Sequence, residues 1–219
     1  MTNLDHGPRL IQYWDQPGPP AALLKLMEGW RQKHPGWSYR RYDRVASARF
    51  IRSTYGIALE EAFLDIRLPA MQADVFRIAF LLACGGLWVD AATTCFSPVE
   101  TWLDLQAPLL LLRRSHQQHP QVCNGLIHAQ APGHPLLAAA WQSMESSLLA
   151  RTGVKVYRSF GPGLLRDLLA SGSWDHTLTV WQETDLSDHL CFGSSSKVLP
   201  REQHWSQRQQ SESLYFSGG

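Results

Sequence analysis

The stretch MQADVFRIAFLLACGGLWVD, residues 71–90, constrains the fold more than any other part of the chain. Val75, Phe76, Ile78, Ala79, Leu82 and Ala83 recur with helical spacing and form a broad apolar face, which predicts a buried helix over 71–86. Gly85 or Gly86 suits the left-handed position that ends such a helix. The apolar run Leu87–Val89 then reads as a buried strand that delivers one carboxylate, Asp90, at its end. The residues after it (Ala91, Ala92, Thr93 and Thr94) are small and leave room beside that acid.

The rest of the chain alternates in the same way. RLIQYW (9–14) predicts a first strand, and Leu23, Leu24, Met27 and Trp30 predict a helix over 21–36 that stops at Pro35–Gly36. Residues 37–43 read as a second strand, and 44–70 as helical pieces stopped by Pro69. Further strands are expected at 107–114, 124–130 and 178–181, and helices at 134–151 and 161–171. Strands alternating with helices predict an α/β fold whose sheet is covered on both faces. Ligands of such sheets gather at the carboxyl ends of the strands, where Asp90 falls.

The whole chain, 1–219, is expected to form one domain. Two halves are expected, about 9–100 and about 101–205, followed by a polar tail, 206–219. With 20 basic and 19 acidic side chains and no block of like charge, nucleic acid is not an expected partner. The first residues lack the pattern of a signal peptide, and the apolar runs at 78–83 and 108–112 are too short to cross a bilayer. Peripheral membrane association stays open. Cys84, Cys95, Cys123 and Cys191 are scattered, as in a reduced cytoplasmic protein. His116, His119 and Cys123 have metal-like spacing but lack an evident fourth ligand.

Several polar residues stand out, each with a plain alternative. Asp74 and Arg77 lie three apart on one helix face; they are either a surface ion pair or, given apolar neighbours, a pair bound to something specific. Asp90 either caps a turn or faces a ligand. Tyr13 and Trp14 are core or an aromatic platform. Asn124 opens an ordinary Asn-Gly turn or approaches a sugar. Gly161-Pro162-Gly163 is a structural turn or a phosphate contact at a helix start. Asp185 and Asp188 are late acids that either are solvated or contact a second substrate, and His134 reads as structural.

Taken together, ADVFRIAFLLACGGLWVDAAT resembles the signature of glycosyltransferases with a DXD sugar-binding region, and more closely that of related bacterial capsular polysaccharide synthesis proteins. LIQYW, HPGWSY, NGLIHAQAPGHPLL, SFGPGLL and the His204–Trp205 pair are similar to further blocks of those families, in the same order. The resemblance implies a single GT-A type, Rossmann-like domain with a mostly parallel central sheet. It implies a retaining transfer from a nucleotide-sugar donor, a UDP-sugar first and GDP-mannose second, to a glycan or small acceptor. Asp74 and Arg77 would hold the donor's sugar and the neighbouring phosphate or ribose, and together with Asp90 form the catalytic set. Trp14, with Tyr13, would lie by the base, and Gln12, Gly86, Asn124 and Gly161 would complete the donor site. By the same resemblance, 9–100 would be the donor-binding half and 101–205 the acceptor-side half.

Asp90 would be the first acid of the DXD motif, beside the diphosphate and a divalent Mn²⁺ or Mg²⁺. The second acid is missing: position 92 is Ala92. The metal then needs another ligand, His204 being the candidate, or Arg77, Lys197 or Arg201 neutralises the diphosphate instead. The alternative reading is a degenerate module that binds a nucleotide sugar without transferring it.

Overall fold

The computed structural model describes residues 7–114, 121–153, 155–172, 174, 178–193 and 212–216. Its centre is a six-stranded sheet. The strands are β1 (Arg9–Tyr13), β2 (Ser38–Tyr42), β3 (Gly86–Val89), β5 (Leu109–Arg114), β6 (Gln121–Ala129) and β7 (Thr179–Gln182), in the order β2-β1-β3-β6-β5-β7. Every strand but β6 runs the same way; β6 is antiparallel to both β3 and β5. A separate two-stranded ribbon pairs β4 (Thr94–Cys95) with β8 (Leu190–Cys191).

The helices are α1 (Ala21–Lys33), α2 (Arg44–Tyr55), α3 (Ile57–Asp65), α4 (Pro69–Cys84), α5 (Pro135–Leu149), α6 (Val156–Ser159) and α7 (Pro162–Ser171). Pro69 does not stop a helix: it opens α4 at a first-turn position, where a missing N–H costs nothing. The end of α4 follows expectation, with Gly85 at φ +64° and its N–H bonded to Leu81 O.

One face of the sheet packs on α4, which carries ten consecutive or near-consecutive buried residues because α2 and α5 cover its other sides. Tyr13, Tyr42, Phe76, Phe80 and Trp88 meet there in tilted and edge-on ring contacts. The other face buries Leu10, Leu87, Val89, Leu110, Leu112 and Leu126 beneath α1 and the β4–β8 ribbon. Residues 212–216, at the end of the chain where the sequence carries no pattern, are docked. Tyr215 pairs with Ile66, is 6% exposed, and donates its hydroxyl to Thr152 O at 3.1 Å.

The loop after Asp90 is clamped by α1. Trp30 Nε1 donates to Thr93 O at 2.8 Å, and the Thr93 N–H donates to Asp90 O at 3.1 Å. His34, 1% exposed, lies 2.7 Å from Trp30 O through Nδ1 and accepts the Val99 N–H on Nε2 at 2.9 Å. Those two bonds require a neutral ring with its proton on Nδ1. Truncation would leave a buried N–H unpaired and open a cavity between two indoles. His34→Ala is therefore expected to lower the unfolding free energy by about 2–4 kcal/mol, read from urea transitions. A change below about 0.5 kcal/mol, the size of an ordinary surface substitution, would mean the clamp is not structural.

Candidate functional site

The site is built around one buried guanidinium. Arg77, 4% exposed on α4, reaches the carboxyl end of the sheet. Its Nη2 lies 3.0 Å from Asp74 Oδ1 and 3.2 Å from Asp90 Oδ1. Its Nη1 donates to Asn124 O, and its plane stands 5.0 Å from the Trp88 ring centroid. The Asn124 side chain donates to Asp74 Oδ1 at 2.8 Å. Trp88 Nε1 donates to Asp90 Oδ1 at 2.9 Å. Asp90 thus has Oδ1 tied down by Trp88 and Arg77, while its side chain remains 43% exposed.

Asn124 and Gly125 are not a turn. They lie inside β6, where the register with β5 jumps: Leu111 faces Ile127, yet Leu112 faces Cys123. Residues 124–126 bulge out of that pairing while β6 stays hydrogen-bonded to β3, and Gly125 O accepts the Asp90 N–H at 2.8 Å. A bulge re-aims the side chain it carries. Here it sends Asn124 toward α4.

Two carboxyl groups, Asp74 and Asp90, share one cation, Arg77. Burial, and then the nearby Asp90, push the Asp74 carboxyl up to about 7, against the lowering effect of Arg77 and Asn124. Among the described residues no group of three His, Cys, Asp or Glu side chains could hold a metal. Asp90 Oδ2 is the carboxylate oxygen that Arg77 and Trp88 do not hold, and a carboxylate oxygen suits a cation. That donor set fits a divalent ion held chiefly by diphosphate oxygens and water, with Asp90 as its protein ligand. His204, Lys197 and Arg201 lie outside the described residues.

The remaining expected residues are spread unevenly. Gln12 is fully buried; its Oε1 accepts the Tyr39 hydroxyl at 3.0 Å, and its Nε2 has no partner among the described residues. Trp14 packs with Leu23, Met27, Ala91 and Ala92, and its Nε1 is likewise buried and unpartnered. Orphan donors of this kind, that of Trp14 lying beside Ala91 and Ala92, are what a bound acceptor group would satisfy. Tyr13 points to the opposite face, donating to Gln72 Oε1 at 2.6 Å. Gly161 is buried against Asp74: a Cβ there would sit 2.9 Å from Asp74 Oδ2. Gly86 lies at the far end of β3 from Asp90, at φ +107°, where a Cβ would meet Arg9 O at 3.0 Å. His134 caps α5 by accepting the Leu136 N–H on Nδ1 at 3.2 Å. Asp185 and Asp188 are exposed around the short 3-10 turn Glu183–Leu186. The sequence offered no periodic signal for Trp88 as an Asp90 partner, because the indole reads simply as core.

The raised Asp74 carboxyl has a pH signature. The native state holds this proton up to about pH 7, while the unfolded chain releases it near pH 4. Between those values the native state binds more protons, so stability falls as pH rises and levels off above the native value. Thermal melts from pH 4 to 8 should show that decline, and Asp74→Asn should flatten it. An unchanged slope in the variant would mean Asp74 does not titrate in this window.

Residues 20–107 match the family model described as "Glycosyltransferase sugar-binding region containing DXD motif". Over 189 residues the chain is 26% identical to the initiation-specific alpha-1,6-mannosyltransferase of Schizosaccharomyces pombe, a match that covers 74% of this chain and 48% of that protein. The chain spans about half the length of that relative. Among solved structures, the PaToxG glycosyltransferase superposes with a TM-score of 0.55 at 12% identity, over 75% of this chain and 69% of its own. At that identity the likeness speaks for the fold. The matched region contains Asp74, Arg77 and Asp90, and the parallel sheet with one reversed strand places them at its carboxyl edge. Residues 20–107 are therefore similar to the sugar-binding region of the DXD-motif glycosyltransferases, and the chain has a fold of the GT-A type.

Proposed function

We propose that the chain transfers a glycosyl group from a nucleoside-diphosphate sugar to a glycan or small acceptor, with retention of configuration. The observation that carries this reading is the Asp74–Arg77–Asp90–Asn124 cluster at the carboxyl edge of the sheet. Asp74 and Asn124 offer acceptor and donor groups to sugar hydroxyls. Arg77 fixes both carboxylates and meets negative charge as the diphosphate departs, the largest electrostatic task of the reaction. A divalent ion at Asp90 would supply further neutralisation of that leaving group. The orphan Gln12 Nε2 and Trp14 Nε1 suit carbonyl acceptors of a base. Retention requires no general base on the far side of the sugar, in keeping with two carboxylates already engaged by Arg77.

The relative's name specifies mannosyl transfer, so GDP-mannose joins UDP-sugars as a donor to test first. Assembly of a bacterial surface or secreted polysaccharide is the setting proposed from the resemblance. A cytoplasmic location is proposed with it; no disulfide joins cysteines among the described residues, and no helix of those residues is long and apolar enough to cross a membrane. Ala92 supports a second reading, binding of a nucleotide sugar without transfer.

Titration of UDP and GDP, with and without Mn²⁺, followed by turnover of UDP-glucose and GDP-mannose, separates these readings. Binding with consumption is expected for the transferase; binding without consumption, across a range of acceptors, favours the second reading. Asp90→Ala, Asp74→Ala and Arg77→Ala should each lower turnover by roughly 100-fold or more. Unchanged binding and turnover in all three variants would overturn the assignment.

A further inference from the structure

Phe192 is an aromatic residue at the site that the reaction outlined above does not use. It follows β8, and that segment is firmly attached. Leu186 and Leu190 are 0% and 3% exposed in the core beneath the sheet. The Phe96 N–H donates to His189 O at 2.8 Å, Ser97 Oγ lies 2.9 Å from His189 Nδ1, and the His189 ring stacks on Trp102 at 5.1 Å. The Phe192 ring, only partly buried, is thereby delivered across Gly125. A Cβ on Gly125 would lie 2.9 Å from Phe192 Cε1 and 3.2 Å from Asp90 Oδ2. Ring edge and carboxylate oxygen therefore flank the same empty point.

The two faces of the sheet contribute differently here. Asp74, Arg77 and the Asn124 side chain approach Asp90 from the α4 face. Phe192 approaches from the face that carries the β4–β8 ribbon. Asp90 stands between a polar wall and an aromatic one. A pyranose has that same division: hydroxyls around its rim, and a C–H face that packs on an aromatic ring. We propose that Phe192 is the apolar wall of the sugar subsite, against which the transferred hexose of the donor packs, and that Gly125 is the gap that admits the ring. The proposal rests on the glycosyltransferase reading and adds the contact that recognises the sugar rather than the nucleotide.

The contact is made only by the sugar, so its loss must be selective. The experiment compares GDP with GDP-mannose and UDP with UDP-glucose, by calorimetry with Mn²⁺, in the wild type and in Phe192→Ala, Phe192→Tyr and Gly125→Ala. Phe192→Ala should weaken the sugar-bearing member of the bound pair about 3- to 10-fold, the size of one aromatic contact, and leave the plain nucleotide unchanged. Phe192→Tyr, which keeps the ring, should restore the difference. Gly125→Ala, whose methyl would meet the Phe192 ring at 2.9 Å and Asp90 Oδ2 at 3.2 Å, should weaken the nucleotide sugar at least as much as Phe192→Ala does. Equal weakening of nucleotide and nucleotide sugar in Phe192→Ala, or no weakening there, would overturn the wall while leaving the transferase reading intact. A wild type that binds neither pair would overturn the transferase reading itself, and the wall with it.

Discussion

The buried Arg77 guanidinium is the interaction on which the site depends. It touches two carboxylates, a main-chain carbonyl and an indole face, and these belong to α4, β3, β6 and the loop that follows β3. A charge so far from water is stable only when its hydrogen bonds are filled and its partners paired. Each partner is therefore held in one place, and the guanidinium acts as the joint between helix and sheet. One cation also faces two carboxyl groups, Asp74 and Asp90. Burial first, and then that second carboxylate, lift the Asp74 carboxyl.

Around that joint the fold supplies rigidity from two directions. The α4 face is packed with aromatic side chains that leave the helix no freedom to turn. On the other face, α1 holds the loop after Asp90 through Trp30 and His34. The reversed strand β6 joins these two supports. Its bulge sends Asn124 to one face and leaves a side-chain-free position at Gly125 toward the other, within a single turn of backbone. Under the proposed transfer, polar groups held in place in this way would need no rearrangement as charge develops.

Much of this was legible in the sequence, for reasons that differ by residue. The α4–β3 unit was readable because its apolar spacing, its glycine stop and its terminal acid are all local features. Asp74 and Arg77 stood out because charged residues on an apolar helix face need partners, and those partners proved to be Asp90 and Asn124. Pro69 was misread because a proline at the first turn of a helix and a proline after the end of another look alike in one dimension. Asn124–Gly125 has the composition of a turn, and nothing local reveals that two flanking strands hold it extended. The docking of Tyr215 on Ile66 was invisible, because the tail has no periodicity and its partners are far away in the chain.

The sequence by itself determined the alternation of strands and helices, the burial of α4 and the emergence of one acid at the end of β3. Hydrophobic period and glycine placement are encoded residue by residue, so they survive without knowledge of the fold. The tertiary structure alone decided that Arg77 is shared, that Trp88 binds one oxygen of Asp90, and that Phe192 crosses Gly125. These contacts join residues tens of positions apart. They follow from strand order, from the direction of β6 and from a register jump, and those are properties of how the elements meet rather than of any one element.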